Sequence, residues 1–389
     1  MMRWWRVVPA MLITTTVLAA QPAHAGPTLT VTVVQSGLNI PWDVAFLPSG
    51  PELPEGAMIY TERSLKKLTL RLPNGTTRVI LDSPSGMWAS GETGLMSVEP
   101  AYGFKANHDF ITCHGYQNSN TQDVRVVRWH LNSTFTAATK VRTLVSGLPS
   151  TSGRHGGCAL VKGSGNILYV GTGDAATGKN PQSLYSGGGK VLRIDGRTGA
   201  AISGNRWIKS TVRVKRQIAT YGHRNVQGLA RRSDGTIWSV EHGSYRDDEV
   251  NRIDLGKNFG WNPVPRKSGD ATYNEGANSP MTDYSIPGTQ TAARWRSGTS
   301  TFATSGATFV YGTKWGSKNG ALAVASLKDS SLRLLLFTSG GTLSSSWKPP
   351  ALNVTYGRLR GAVRGPDGAL YLTTSNGDGN DKILKVTPG

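Results

Sequence analysis

One short phrase recurs along this chain, and it constrains the fold more than any other feature. Residues 43–50 lead into 58–63, 158–165 into 167–174, 228–235 into 237–242, and 361–368 into 370–374. Each pair reads as a short apolar strand, a turn containing Gly, and a second short strand. A third strand follows in several copies, at 190–195, 249–254 and 382–386. Two weaker copies fill the gaps. One runs through 94–96, 110–113 and 124–129, the other through 307–310, 322–325 and 332–337. A small antiparallel sheet cannot bury both its faces alone, so copies must stack on one another. Repeated units of this size predict an all-β protein, a six-bladed β-propeller with four-stranded antiparallel blades. A solenoid would show tighter periods, and a β-sandwich, the next reading, would not need six copies. In a propeller, loops from different blades converge on one end of the central channel, so residues far apart in sequence can share a site.

Composition agrees with a loop-rich β protein: 48 glycines in 389 residues and only 17% charged side chains. The N-terminus reads as an export signal. Arg3 and Arg6 precede an apolar run over 7–20, and Ala23-His24-Ala25 offers a small-residue cleavage site before Gly26. The run is shorter than the ~18 residues a membrane span requires. The expected organisation is a signal over 1–25 and one propeller domain over 26–389, secreted or periplasmic. No later segment is apolar enough to cross a bilayer. The two cysteines, Cys113 and Cys158, read either as a disulfide suited to an oxidising compartment or as two buried thiols. The formal net charge is +19, spread along the chain. Without a basic stripe interleaved with stacking aromatics, it does not predict nucleic-acid binding. A basic field still attracts an anionic cofactor or, loosely, anionic polymers of the cell envelope.

Several polar residues stand at the edges of the repeats. His155, in a Gly-flanked turn entering a strand, is a candidate general base, with a turn-capping role as the alternative. Asp174 ends the next strand of the same hairpin, placed to orient the imidazole. Arg224, Asn225 and Gln227 crowd a Gly-bounded loop, where a permanently charged, planar donor suits an oxygen on which charge develops. Lys328, Arg358 and Arg360 form a second cationic group, and Arg358 and Arg360 share a face of an extended segment. Glu241 to Ser244, followed by Asp247, Asp248 and Glu249, suggests a hard-cation site or else a solvated acidic turn. The Asn376 to Asn380 segment has no Glu at the twelfth position of a calcium loop and reads as a blade-end turn. Gly187 to Lys190 is no phosphate loop, because no Ser or Thr follows the Lys and a strand follows it. Neither a G-x-S-x-G elbow nor a dinucleotide fingerprint in a βαβ setting occurs.

From about Leu38 to the C-terminus, the chain resembles the glucose/sorbosone dehydrogenase family, six-bladed propellers that use pyrroloquinoline quinone (PQQ). The residues that carry the resemblance are Pro41 to Asp43, Gly91 to Leu95, His155 to Gly157, Gly173 and Asp174, Gly189 to Ile194, Tyr221 to Gly228, Glu241 to Gly243, Asn258 to Trp261, Ser326 to Lys328 and Arg358 to Arg360. The resemblance implies roles by position. His155 would take the proton of a sugar hydroxyl, Asp174 would orient it, and Arg224 would polarise the reactive quinone carbonyl, with Asn225 and Gln227 lining the same loop. Lys328, Arg358 and Arg360 would bind the cofactor's carboxylates and ring oxygens, Glu92 would border cofactor and substrate, and Thr301 would lie near the cofactor. Backbone carbonyls of Gly243 and Ser244 would hold calcium (Ca2+). The expected reaction is oxidation of an aldose at its anomeric hydroxyl to the lactone, with electrons leaving to an external acceptor. Val226 and Ser244 stand where many members have Pro. Glu92 and Arg154 replace the Gln and Asp of the glucose-oxidising branch beside the sugar pocket, which points to a broad aldose dehydrogenase. Two other readings stand beside this one, a calcium-dependent propeller lactonase and a non-catalytic propeller that binds glycan or protein.

Overall fold

The computed structural model describes residues 26–263, 273–276 and 279–389. They form six antiparallel sheets arranged around an axis, the six-bladed β-propeller that the repeats predict. Blade one runs from Pro41–Phe46 at the axis through Met58–Glu62 and Lys67–Arg71 to Thr77–Asp82 at the rim. Blades two to five repeat the pattern from innermost strands Leu95–Pro100, Gly157–Lys162, Val226–Arg231 and Thr304–Phe309. In blade two a two-residue strand, Met87–Trp88, also pairs with Asp109–Gln117.

Two copies of the recurring phrase share a tight turn of one design, which the outer hairpin of blade one also uses. In blade four Arg232 N–H bonds Thr236 O (2.9 Å) and Gly235 N–H bonds Arg232 O (2.9 Å). The Asp234 side chain accepts Thr236 N–H (2.9 Å). Gly235 has φ +88°, a left-handed conformation that favours Gly. The same bonds recur at Leu72–Thr76 with Asn74 and at Gly365–Ala369 with Asp367. Each turn connects an inner strand to its neighbour, or an outer pair, with the same register.

Blade six closes the ring. Leu359–Arg364, Leu370–Thr374 and Asp381–Pro388 come from the C-terminus, but the outermost strand is Leu29–Leu38 from the other end of the chain. Val31 lies opposite Val386 and Leu29 opposite Pro388. The sequence reading did not assign this strand, because it has no copy of the phrase.

Apolar side chains of adjacent blades interlock into the core. Leu160, Leu168, Val170 and Ile194 of blade three pack with Ile111, Val124 and Val126 of blade two. Cys113 and Cys158 join those blades as a disulfide with Cα atoms 5.6 Å apart, so no thiol remains free. The inner strands contact one another around the ring and enclose an axial cavity of about 310 Å³. Gly306 permits that approach, since a Cβ there would lie 2.6 Å from Arg360 O. The expected signal at 1–25 lies outside the described residues. Among the described residues no helix is long and apolar enough to cross a membrane.

Candidate active site

Antiparallel pairing puts the start of each innermost strand beside the end of the second strand of its blade, so all these ends open on one mouth of the ring. His155 precedes Gly157–Lys162, and Asp174 follows Ile167–Thr172. Arg224 and Asn225 precede Val226–Arg231, while His242 and Gly243 follow Ile237–Glu241. Glu92, Thr301 and Arg358 stand before their inner strands, and Lys328 stands after Leu322–Ser326.

His155 is buried at 3% exposure and Asp174 at 0%. Asp174 Oδ1 lies 2.8 Å from His155 Nδ1 and also accepts Ala176 N–H at 2.8 Å. Its Oδ2 accepts Trp261 Nε1–H at 2.8 Å and lies 3.1 Å from the Tyr273 hydroxyl. An ionised carboxylate accepts only, so the Nδ1 proton belongs to His155 and Nε2 is left as the free basic nitrogen. Burial, and secondarily the Arg224 charge, hold the imidazole pKa below its ordinary value, although Asp174 and Glu92 pull the other way. The ring is therefore neutral at neutral pH, as a proton acceptor must be. Lys190, fully buried, ties the adjoining loop through Nζ bonds to Asn180 O (2.6 Å), Pro181 O (3.0 Å) and Gly188 O (2.7 Å).

A line of hydrogen bonds crosses the mouth from His155 to Arg360. Glu92 Oε2 accepts His155 N–H (3.2 Å) and Asn225 Nδ2–H (3.0 Å). Asn225 Oδ1 accepts Gly157 N–H (3.1 Å) and Gln227 Nε2–H (3.1 Å), and Gln227 Oε1 accepts Arg360 Nη1–H (3.1 Å). Burial opposes the Glu92 charge, but His155, His242, Asn225 and Arg360 outweigh it and keep its pKa low. Arg360 lies over the Trp42 ring at 3.7 Å and is only 6% exposed. Burial and the nearby Arg63 bring its pKa down to about 9. Asn225 and Gln227 thus position neighbouring groups as well as lining the loop.

Arg224 donates Nη1–H to His242 O (3.2 Å), and its Nε and Nη2 reach Glu275 Oε2 at 2.9 and 2.6 Å. Glu275 also ion-pairs with Arg154. Lys328 and Arg358 are exposed at the rim. Lys328 Nζ reaches Thr301 Oγ1 at 3.4 Å, and Arg358 Nε reaches Ser375 O at 3.1 Å. Among the described residues no carboxylate lies within ion-pair distance of Lys328, Arg358 or Arg360.

The acidic stretch after Glu241 does not make a cation cage. Glu241 Oε1 accepts from His223 (2.9 Å) and Asn251 (2.8 Å), and its Oε2 accepts Arg224 N–H (2.9 Å). Glu249 lies opposite Glu241 across the strand pair, where burial and the facing Glu241 raise its pKa. Asp248 accepts the N–H groups of Gly243 (2.8 Å) and Phe302, fixing the loop. These carboxylates are therefore occupied by protein donors, and among the described residues no group of three or more His, Cys, Asp or Glu could hold a metal. Among the described residues, the carbonyl oxygens of Gly243 and Ser244 receive no hydrogen bond, and the buried Ser244 Oγ and His242 Nε2 find no partner. The segment at Asn376 is a blade-end turn capped by Asp381, which accepts Gly377 N–H at 2.9 Å.

Sequence reasoning missed Tyr273 and Glu275 and gave Trp261 no role. Tyr273 and Glu275 lie in the long excursion between Glu249–Arg252 and Trp295–Arg296, which carries no strand pattern.

A six-bladed propeller with a neutral, carboxylate-held histidine and a set of cations at one mouth defines the class of protein. The family model for glucose/sorbosone dehydrogenase matches residues 38–385, so the chain belongs to that family and its kind is a sugar-dehydrogenase oxidoreductase. It is 27% identical over 386 residues to the aldose sugar dehydrogenase YliI of Escherichia coli, covering 98% of each chain. It is also 27% identical over 293 residues to quinoprotein glucose dehydrogenase B of Acinetobacter calcoaceticus, covering 67% of this chain and 59% of that one. Among solved structures, the PQQ-bound aldose sugar dehydrogenase of Streptomyces coelicolor matches with a TM-score of 0.71 at 26% identity, over 93% of this chain and 99% of that one.

Proposed function

We propose that this protein is a PQQ- and calcium-dependent aldose dehydrogenase that oxidises the anomeric hydroxyl of a sugar to the lactone. The observation that carries the reading is the buried pair of His155 and Asp174 beside Arg224, in a mouth where Lys328, Arg358 and Arg360 have no carboxylate within ion-pair distance among the described residues. Arg360 supports the fit. It is a buried guanidinium held by the neutral side chains of Gln227, Ser305, Ser375 and Trp42, with no carboxylate within ion-pair distance among the described residues, and an anionic ligand would supply a direct counter-charge.

Arg224, Lys328, Arg358 and Arg360 would hold the cofactor, with Glu92, Asn225, Gln227 and Thr301 beside it. The carbonyl oxygens of Gly243 and Ser244 would hold calcium. When bound, the quinone supplies a two-electron acceptor for hydride and the metal ion a Lewis acid beside it. Asp174 fixes the Nδ1–H tautomer, so His155 Nε2 faces the substrate hydroxyl and takes its proton as the C1 hydride departs. Asp174 also stabilises the imidazolium that results. Arg224 would present its guanidinium to a cofactor oxygen on which negative charge develops. Turnover would require an external electron acceptor. The disulfide and the basic N-terminal segment support an exported protein.

The test is titration of the purified apo-protein with PQQ plus calcium, following dye reduction by a panel of aldoses. Stoichiometric activation with sugar-dependent reduction is the expected result. Failure to bind PQQ would defeat the proposal and favour a propeller lactonase or a binding propeller.

A further inference from the structure

We propose that Glu275 holds the place of the anionic cofactor: in the unloaded protein it neutralises Arg224 and Arg154, and cofactor loading displaces it. This rests on the cofactor reading above. Arg224, 7% exposed at its side chain, directs Nε and Nη2 to the same oxygen, Glu275 Oε2. The other oxygen, Oε1, pairs with Arg154 Nη2 at the rim. One carboxylate thus bridges a buried cation and a half-exposed one. A buried guanidinium left without a counter-charge is costly, and Glu275 supplies it when no ligand does. Of the four cations assigned to the cofactor, Arg224 is the one with a carboxylate partner among the described residues. A ligand oxygen arriving at Arg224 meets Glu275 on the edge it needs, and the two negative groups repel.

Tyr273 shows that Glu275 is held less firmly than its ion pairs suggest. The Tyr273 hydroxyl lies 3.1 Å from Glu275 Oε2 and 3.1 Å from Asp174 Oδ2. A phenol has one proton and can satisfy only one of these carboxylates at a time. Withdrawal of Glu275 leaves that proton to Asp174, the group that orients His155. Arg154 stands half-exposed, with its guanidinium 5.5 Å from the Tyr273 ring, so it can move outward with Glu275 as a pair. Filling the cofactor seat and fixing the base are then one event.

The test measures PQQ binding to apo-protein in calcium, by calorimetry for affinity and stopped-flow absorbance for loading. Glu275→Gln keeps the shape and removes the charge. It is expected to bind about tenfold more tightly than the parent and to load faster, a change of about 1.4 kcal/mol. Tyr273→Phe, which removes the hydroxyl beside Glu275 and leaves its arginine partners, is expected to shift affinity in the same direction by less. It serves if the first variant does not melt cooperatively. Unchanged or weaker binding by cooperatively folded variants, with normal binding by the parent, overturns this inference alone. A parent that takes up no PQQ overturns both this inference and the proposed function.

Discussion

Replacing Asp174 with Asn removes a charge without removing a shape. The carboxylate has four neighbours: His155 Nδ1 and Ala176 N at 2.8 Å on Oδ1, and Trp261 Nε1 at 2.8 Å and the Tyr273 hydroxyl at 3.1 Å on Oδ2. An amide has only one accepting atom, so one side must now receive an NH2 group. If the NH2 faces Trp261, the indole N–H is stranded, and if it faces Ala176, a backbone N–H is stranded. Either costs about 1–3 kcal/mol of stability. In the second orientation the amide also donates to His155 Nδ1, which puts the proton on Nε2 and abolishes the base. In both, the imidazolium formed during turnover loses its ionic partner, and a charge-assisted bond is worth roughly 1.5–3 kcal/mol, or about ten- to a hundredfold in rate. Where the wrong tautomer is populated, the loss approaches ~10⁴-fold. We therefore expect Asp174→Asn to lower kcat by about 10 to 10⁴, with PQQ affinity little changed, because Arg224, Lys328, Arg358 and Arg360 are untouched. Steady-state dye reduction by the PQQ-loaded variant at saturating sugar, with calorimetric PQQ binding alongside, measures both. A kcat within fivefold of the parent in a fully loaded variant would refute the assignment of Asp174 and of the His155 tautomer.

His155→Ala is expected to lose turnover by about 10² to 10⁴ while still binding PQQ, which equilibrium titration and dye assay separate. Because burial lowers the His155 pKa, the acid limb of kcat/KM should fall below pH 6.5, and a limb above that value would contradict the neutral-base reading. Asp43 borders the axial cavity, partly buried, and desolvation of its carboxyl pushes it up to about 7. A raised carboxyl pKa favours the folded state at low pH, so stability is lost as pH rises from about 4 toward 7. Asp43→Asn should flatten that part of the melting-temperature profile. Removing the disulfide that spans 45 residues releases loop-closure entropy of about 4 kcal/mol. A Cys113→Ala, Cys158→Ala protein should melt several degrees lower, and an unchanged melting curve would show that the unfolded chain is already compact there.

The ring was legible because its turns are local. An Asp-Gly or Asn-Gly pair between short apolar runs states both the hairpin and its register. In blade three a Gly-Ser-Gly turn does the same, and the pairing of Gly157 with Thr172 carries His155 toward Asp174 with no long-range information. The acidic stretch after Glu241 misled for the opposite reason. Its carboxylates look adjacent in sequence, but the strand pair sets Glu249 against Glu241 inside the blade and turns Asp248 onto the loop backbone. Tyr273 and Glu275 enter the mouth from residues 253–294, where no periodicity says which side chain returns to the axis. The Leu29–Leu38 strand was invisible because its partner is the other end of the chain.

That closing pair has a consequence for how the protein is made. The blade that supplies Arg358 and Arg360 is completed by a strand from near the beginning of the chain and one from its end. A nascent or clipped polypeptide lacking its last strand could stack five blades, yet leave the sixth without its seam. Its cation-bearing strand would then face no finished sheet. Loss of either closing strand would therefore act at a distance on the mouth of the ring, through the blade that carries Arg358 and Arg360.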